Sequence, residues 1–421
     1  MMNSRFTPSR GRAAFVLLAI VFAAALACPA ALAAEKPVLN KGDRLVVVGD
    51  SITEQKLYSK FIEDYVTVCT PGLDIWTYQL GWSGETAGGF LNRMKRDLLP
   101  LKPNVVTLCY GMNDGGYRRY EEAIGQQYRN AMTTIVNDLK AAGAVAVIGS
   151  PGCVDLNTYH RPPGDAKDYN ETLRRLGEID RQIAKDAGMP FADLHAVLYD
   201  LMKITEADYG KNYHVCGRDG IHPDQNGHLI MAYAFLKALG FDGRIGTFTV
   251  DMEGGATATD GHKVLSAKAG TVEIESRRYP FCFYGDGQSP NSTRSILPYF
   301  PFNDDLNRLT LIVRNLKTEN AKVAWGKESK HFTREQLAKG INLAAAFLDN
   351  PFSDAFKKVD DAVAEKEALE TILIKDPKTA VKVSAAARHE ALAAAVRAAV
   401  VPVKHTISIE EEKQAAGESR P

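Results

Sequence analysis

Leu45-Val46-Val47-Val48-Gly49-Asp50-Ser51-Ile52-Thr53-Glu54 is the stretch that decides the fold. Four apolar residues, three of them β-branched, read as a buried strand. The run stops at Gly49. Asp50, Ser51 and Thr53 follow, and their side chains bond nearby backbone N–H groups, which favours tight turns and helix N-caps. Ser51 is therefore expected where a strand ends and a helix begins, with its hydroxyl at the rim of a sheet. In open α/β sheets that carboxyl edge is where ligands bind. A serine that only caps a helix satisfies this stretch equally well, so the decision falls to the rest of the chain.

Downstream, a helical pattern over 54–65 places Leu57, Phe61, Ile62 and Tyr65 on one face. Residues 74–80 are a weaker strand that runs into Gly81-Trp82-Ser83-Gly84-Glu85-Thr86, followed by a helix over 88–98. A clear strand at 104–110 ends in Gly111-Met112-Asn113-Asp114. An amphipathic helix follows at 120–142, then a strand at 144–149, a helix at 168–187, a short strand at 190–194, and helices at 196–202 and 226–239, with a loop at 212–220. Strands alternating with helices predict a parallel sheet covered on both faces. Right-handed crossovers put every strand C-terminus on one edge. That edge should collect Ser51, Gly84, Asn113 and the loop around Asp219.

After Gly240 the pattern changes. Residues 247–250, 272–275 and 309–313 read as short strands, and 279–302 is rich in aromatics, proline and glycine, so 243–327 is expected to be a small β-rich module. Residues 333–347 and 353–374 read as helices separated by Asn350-Pro351, and an alanine-rich helix follows at about 380–400. The expected organisation is thus a leader at 1–34, an α/β domain at 40–240, the β-rich module at 243–327, a helical extension at 328–400 and a flexible tail at 401–421. There are no internal repeats.

Composition bounds the function. The 421 residues hold 45% hydrophobic and 24% charged side chains, ordinary for a globular chain. Lys+Arg and Asp+Glu are both 51, which gives no basic surplus for nucleic acid. Arg5, Arg10 and Arg12 precede an apolar run from Ala13 to Ala27, and Ala31-Leu32-Ala33 offers a small-x-small cleavage site, the pattern of an export signal. Its removal leaves a net charge of about −3. Export to the periplasm or the extracellular space is expected, with a lipoprotein anchor at Cys28 the less favoured variant, because Ala25-Leu26-Ala27 fits a lipobox poorly. No other stretch is apolar enough to cross a membrane. Cys69, Cys109, Cys153, Cys216 and Cys282 show no zinc-type spacing. Cys153 and Cys216 both fall in loops of the expected active edge, where an exported protein can join them.

Gly217-Arg218-Asp219-Gly220-Ile221-His222-Pro223 holds Asp and His three residues apart just before a helix. A serine hydroxyl near neutral pH needs a general base, best held by a carboxylate on its other nitrogen. Asp219 and His222 can supply both from one loop, although an isolated D-x-x-H is more often a cap beside a surface histidine. Acyl transfer also needs donors for an oxyanion. The backbone N–H groups of Ser51 and Gly84 and the Asn113 amide are candidates, and a turn glycine and a capping asparagine are their plain alternatives.

Together these residues resemble the SGNH (GDSL-type) hydrolase superfamily. Gly49-Asp50-Ser51, Gly84, Gly111-Met112-Asn113-Asp114 and Asp219-Gly220-Ile221-His222-Pro223 match its blocks in order, over about residues 40–240. The resemblance implies a flavodoxin-like three-layer α/β/α domain with a five-stranded parallel sheet of order 2-1-3-4-5. It implies Ser51 as nucleophile, His222 as general base and acid, Asp219 as its orienting carboxylate, and an oxyanion hole of Ser51, Gly84 and Asn113. The implied reaction is ester hydrolysis through an acyl-enzyme, without metal or cofactor. The G-x-S-x-G elbow of ordinary α/β-hydrolases is missing.

A small-molecule or polysaccharide ester is the expected substrate. Trp82, Tyr110, Tyr117, Tyr159 and Tyr213 lie in or beside the edge loops, where aromatic faces suit sugar rings or ordinary packing. With no long apolar lid, O-acetyl groups on carbohydrate are favoured over the long chains of a lysophospholipase or lipase. A catalytically silent carbohydrate-binding or scaffolding protein is the reading from another class. His214 and His228 lie near the catalytic loop without metal-type spacing.

Overall fold

The computed structural model describes residues 37–376 and 383–412. The expected export signal at 1–34, with Cys28, and the part of the expected tail beyond 412 lie outside the described residues.

Strand β1 (Arg44–Gly49) leads through Asp50 into helix α1 (Ser51–Glu54), then α2 (Tyr58–Asp64). The single helix expected over 54–65 is split because Lys56 takes a left-handed φ of 58°. There follow β2 (Trp76–Gly81), α3 (Ala87–Asp97), β3 (Val105–Cys109), α4 (Glu122–Ala141), β4 (Val145–Gly149), α5 (Ala166–Ala187), β5 (Phe191–Ala192), α6 (Leu194–Tyr209) and α7 (Gln225–Ala238). The five strands form a parallel sheet in the order β2-β1-β3-β4-β5, the expected topology. Alternation along β1 builds a core on each face. Leu45 and Val47 pack with Phe61 of α2 and Phe235 of α7, and Val46 and Val48 with Phe90 of α3 and Met132 of α4. The first turn of α1 lies directly on the end of β2. A Cβ at Gly81 would stand 2.3 Å from the Glu54 nitrogen, so only glycine permits that approach.

The remainder differs from the expectation. It contains β6 (Arg244–Asp251), β7 (Ala256–Ala258), β8 (His262–Lys268), β9 (Thr271–Ser276), α8 (Phe302–Leu306), β10 (Arg308–Arg314), β11 (Asn320–Trp325), β12 (Glu328–Thr333), α9 (Arg334–Lys339), β13 (Ile341–Asn342), α10 (Leu343–Ala346), α11 (Ser353–Lys375), α12 (Val383–Ala399) and β14 (Val403–Glu411). These strands make two sheets, β13-β10-β6-β7 and β12-β11-β14-β9-β8. The helix expected over 333–347 is broken by Gly340 at φ 106° into α9 and α10, with β13 between them. Residues 403–411, expected in a flexible tail, are instead the middle strand of the third sheet. Val403, His405, Ile407 and Ile409 alternate inward there, and both neighbours are antiparallel. Strands from within 243–327 therefore pair with strands beyond it.

Helix α11 lies along β2, an outer strand of the parallel sheet. Lys366 Nζ donates to the Thr77 carbonyl at 3.1 Å, and a Glu370 oxygen accepts the Gln79 N–H at 3.0 Å. Lys366 also pairs with Glu63 at 3.0 Å and Glu370 at 2.5 Å, and His389 of α12 reaches Glu370 at 2.8 Å. Lys366, Glu367 and Glu370 are all buried. The helix thus covers a strand edge that would otherwise present unpaired backbone groups.

Candidate active site

Ser51 is the first residue of α1. Asp50 caps that helix by accepting the Ile52 N–H at 3.0 Å, which fixes the turn that lifts Ser51 to the sheet's carboxyl edge. The Ser51 N–H, one of the first-turn amides without an intrahelical acceptor, has no acceptor among the described residues.

Ser51 Oγ lies 2.8 Å from His222 Nε2, and His222 Nδ1 lies 2.6 Å from Asp219 Oδ2. The other Asp219 oxygen accepts the backbone N–H groups of Ile221 and His222, each at 2.9 Å. One carboxylate thus holds both the backbone and the ring of the histidine. Burial pushes the Asp219 carboxyl up, but the bonds from the His222 ring and the two amides outweigh it and hold it below the ordinary range. An ionised Asp219 on Nδ1 keeps Nε2 free to accept the Ser51 proton. Gly217 makes the loop possible, since its φ is 84° and a Cβ there would collide with the His222 carbonyl.

The loop is tied on two sides. Asp155 N–H donates to Gly220 O at 2.9 Å and Thr158 Oγ1 to Gly217 O at 3.1 Å. Cys153 and Cys216, both buried, place their sulfurs 3.0 Å apart there. On the other side Gln55 Nε2 reaches Pro223 O at 3.3 Å, which links the end of α1 to the histidine loop.

Gly84 stands in a turn closed by Glu85 N–H on Trp82 O at 3.1 Å, with φ 74° and its own N–H without an acceptor among the described residues. Asn113 Nδ2 donates to Glu85 O at 3.0 Å and lies 3.3 Å from Asp50 Oδ2, so the amide joins the Gly84 turn to the Ser51 turn. Its Oδ1 accepts the Tyr117 hydroxyl at 2.7 Å. Asp114 takes the N–H groups of Ala87 at 2.9 Å and Gly111 at 3.0 Å and serves as a local brace.

Of the expected site residues, the chain brings Ser51, His222 and Asp219 into one hydrogen-bonded series and sets Gly84 and Asn113 in turns joined by the Asn113 amide. Tyr117, for which sugar stacking and ordinary packing were both open, instead supports Asn113, a role that sequence spacing does not signal. Tyr110, Tyr159 and Tyr213 are buried packing residues, and Tyr117 lies beneath the Arg161 guanidinium at 3.7 Å. The 2.8 Å approach of serine to histidine removes the geometric ground for a silent site. His228 is buried, accepting Tyr58 N–H at 3.2 Å and donating to Gln55 Oε1 at 3.1 Å, and burial lowers it to about 3. His214 stands 3.7 Å from Asp155. Among the described residues no group of three His, Cys, Asp or Glu side chains is arranged for a metal ion.

Residues 47–230 match the model of the GDSL-like Lipase/Acylhydrolase family. An acetylxylan esterase of Geobacillus stearothermophilus is 23% identical over 226 residues, 48% of this chain and 97% of that protein. Among solved structures, a gut microbial diltiazem-metabolizing enzyme aligns over 90% of this chain and 99% of its own, at 23% identity and a TM-score of 0.71. At that coverage the shared fold extends well beyond the first 240 residues.

Proposed function

We propose that this chain, an SGNH (GDSL-like) hydrolase acting on ester bonds by its match over residues 47–230, cleaves O-acetyl groups from carbohydrate with Ser51 as nucleophile. The observation that carries the nucleophile is the unbroken series Ser51 Oγ–His222 Nε2 and His222 Nδ1–Asp219 Oδ2, at 2.8 and 2.6 Å. Ser51 Oγ attacks the ester carbonyl while His222 Nε2 takes its proton, and the oxyanion that forms is met by the Ser51 and Gly84 N–H groups and the Asn113 amide. His222 returns the proton to the leaving alcohol. Water then attacks the acyl-enzyme, His222 takes the water proton, and Ser51 leaves with it, releasing the acid. Asp219 stays ionised and stabilises the imidazolium at both stages.

The substrate assignment draws on two observations. A relative aligned over nearly its whole length is an acetylxylan esterase. The groups linked to the site are also polar: Arg161 over Tyr117, and Glu54 bonded to the turn that bears Gly84. Such surroundings suit a hydroxylated alcohol better than a fatty one. In this reading residues 1–34 export the enzyme to where polysaccharide is met.

The test compares p-nitrophenyl acetate, octanoate and palmitate, and acetate release from acetylated xylo-oligosaccharides, for the wild type and Ser51→Ala. The expected result is acetate preference, lowered on the order of a thousandfold or more in Ser51→Ala. Preference for palmitate overturns the carbohydrate assignment in favour of a lysophospholipase or lipase. Equal rates in both proteins overturn Ser51 as nucleophile.

A further inference from the structure

Glu54 sits at the end of α1, three residues after Ser51, and its carboxylate has two partners from distant parts of the chain. One oxygen accepts the Ser83 N–H at 2.6 Å. The other receives the Lys375 ammonium from the last residue of α11. Lys375 also stands 5.9 Å from the centre of the Trp82 ring, whose other cation is Arg93 at 5.2 Å. Trp82, Ser83 and Gly84 form the turn that offers the Gly84 N–H. Besides its closing bond, that turn is held by Trp82 N–H on Gly49 O at 3.0 Å, Ser83 N–H on Glu54, and Asn113 Nδ2 on Glu85 O at 3.0 Å.

Lys375 arrives there in register. Lys366 Nζ on Thr77 O, Gln79 N–H on the Glu370 carboxylate and Gln79 Nε2 on the Thr371 hydroxyl at 2.8 Å lock α11 along β2. Gln79 Oε1 passes the restraint on by accepting the Gly81 N–H at 2.9 Å. Successive turns of the helix thus follow residues 77 to 83 of the strand and its turn, and the helix ends on Glu54. Exposed ion pairs add little, but the Glu54 side chain is only 17% exposed and already spends an oxygen on a backbone amide. Burial pushes its carboxyl up, and the bonds from Lys375 and Ser83 bring it below the ordinary value, so the anion that holds the turn is the stable form.

We propose that Lys375 is a positioning residue for ester hydrolysis, which acts through Glu54 to hold the Ser83–Gly84 turn against the first turn of α1 so that the Gly84 and Ser51 amides converge on one oxyanion. This rests on Ser51 being the nucleophile. The C-terminal helix is then part of the active-site apparatus rather than a passive cover.

The experiment measures kcat and KM for p-nitrophenyl acetate in the full chain carrying Lys375→Met, Lys375→Arg, Glu54→Gln, the Lys375→Met/Glu54→Gln pair, and Ser51→Ala. Lys375→Met is expected to lower kcat about tenfold with KM within about twofold, as for a weakened oxyanion contact. Lys375→Arg should restore most of the rate. In the Glu54→Gln background Lys375→Met should cost nothing further, because the route runs through Glu54. An inactive Ser51→Ala beside an unchanged kcat in Lys375→Met overturns the positioning role alone. A Lys375→Met loss that Lys375→Arg does not rescue and that follows a fall in melting temperature overturns it as well, since that is a stability effect. An active Ser51→Ala overturns the premise and, with it, this role for Lys375.

Discussion

The Glu370 carboxylate accepts the Gln79 N–H at 3.0 Å across 291 residues of chain, so a C-terminal helix completes the hydrogen bonding of the parallel sheet's edge strand. Lys366, buried beside it, is the cation that Glu63 and Glu370 share. Removing one partner of a buried ion pair leaves an uncompensated charge and typically costs about 3–5 kcal/mol. Lys366→Met is expected to lose stability on that scale in urea unfolding. A fragment ending at residue 242, stripped of α11, is expected to aggregate rather than fold as an active unit. A monomeric, fully active fragment on size exclusion would contradict the dependence of β2 on this helix.

Tyr117 donates to Asn113 Oδ1 at 2.7 Å and so sets which way the amide points its N–H groups. Tyr117→Phe keeps the ring beneath Arg161 and deletes only that donor. The expected outcome is a kcat lower by about tenfold with KM nearly unchanged, the pattern of a transition-state contact that has lost its alignment. A changed KM at constant kcat would instead mark Tyr117 as a substrate-binding ring.

Burial raises the Asp50 carboxyl to about 7, against the bond from the Ile52 N–H and with the charges of Asp114 and Glu85 adding to the rise. The folded chain therefore holds this proton more tightly than the unfolded chain does. Its contribution to stability is fully present below about pH 4 and is lost as pH climbs through about 7. Asp50→Asn is neutral throughout and should gain on the wild type as pH rises across that window. Urea unfolding of both proteins at about pH 5 and about pH 8 checks this. A stability difference that stays constant between the two conditions would assign the pH dependence to other groups.

Cys153 and Cys216 place buried sulfurs 3.0 Å apart between the loop after β4 and the loop that bears Asp219 and His222. Refolding with glutathione disulfide is expected to join them. The two thiols give up two protons and two electrons, and the glutathione disulfide leaves as two thiols. A closed loop of this length is expected to add about 4 kcal/mol of stability. Peptide mapping without reductant should find 153 linked to 216, and two unmodified free thiols after refolding would refute the pairing.

The parallel sheet was legible because each strand is a short apolar run bounded by turn residues, and the site because its chemistry is local: Asp219 and His222 share one turn, and Ser51 directly follows its strand. What escaped was long-range. Nothing in the helical pattern over 353–374 marks Lys366, Glu367 and Glu370 as buried, because charged side chains seldom enter a core. Here each meets a partner from α2 or β2 that sequence spacing does not reveal. Residues 403–411 hid their period of two because one inward position is His405. Its ring accepts the Trp325 indole N–H at 3.1 Å and is buried, whereas histidine in a polar stretch suggests solvent. For Tyr110, Tyr159 and Tyr213, where sugar stacking and packing were equally open, the structure decides for packing, since all three are buried in the core.

β14 lies between β9 and β11, strands that precede it by well over a hundred and by about eighty positions. A ribosome delivers the chain from its N-terminus, so this sheet must wait with its middle vacant until residue 411 has been made. Two incomplete edges stay open through that interval, and the partly synthesised protein is sticky just when neighbouring nascent chains are close. Slow translation ahead of residue 411, and truncation or proteolytic nicking within residues 403–411, therefore strike the architecture harder than the same events inside most surface loops.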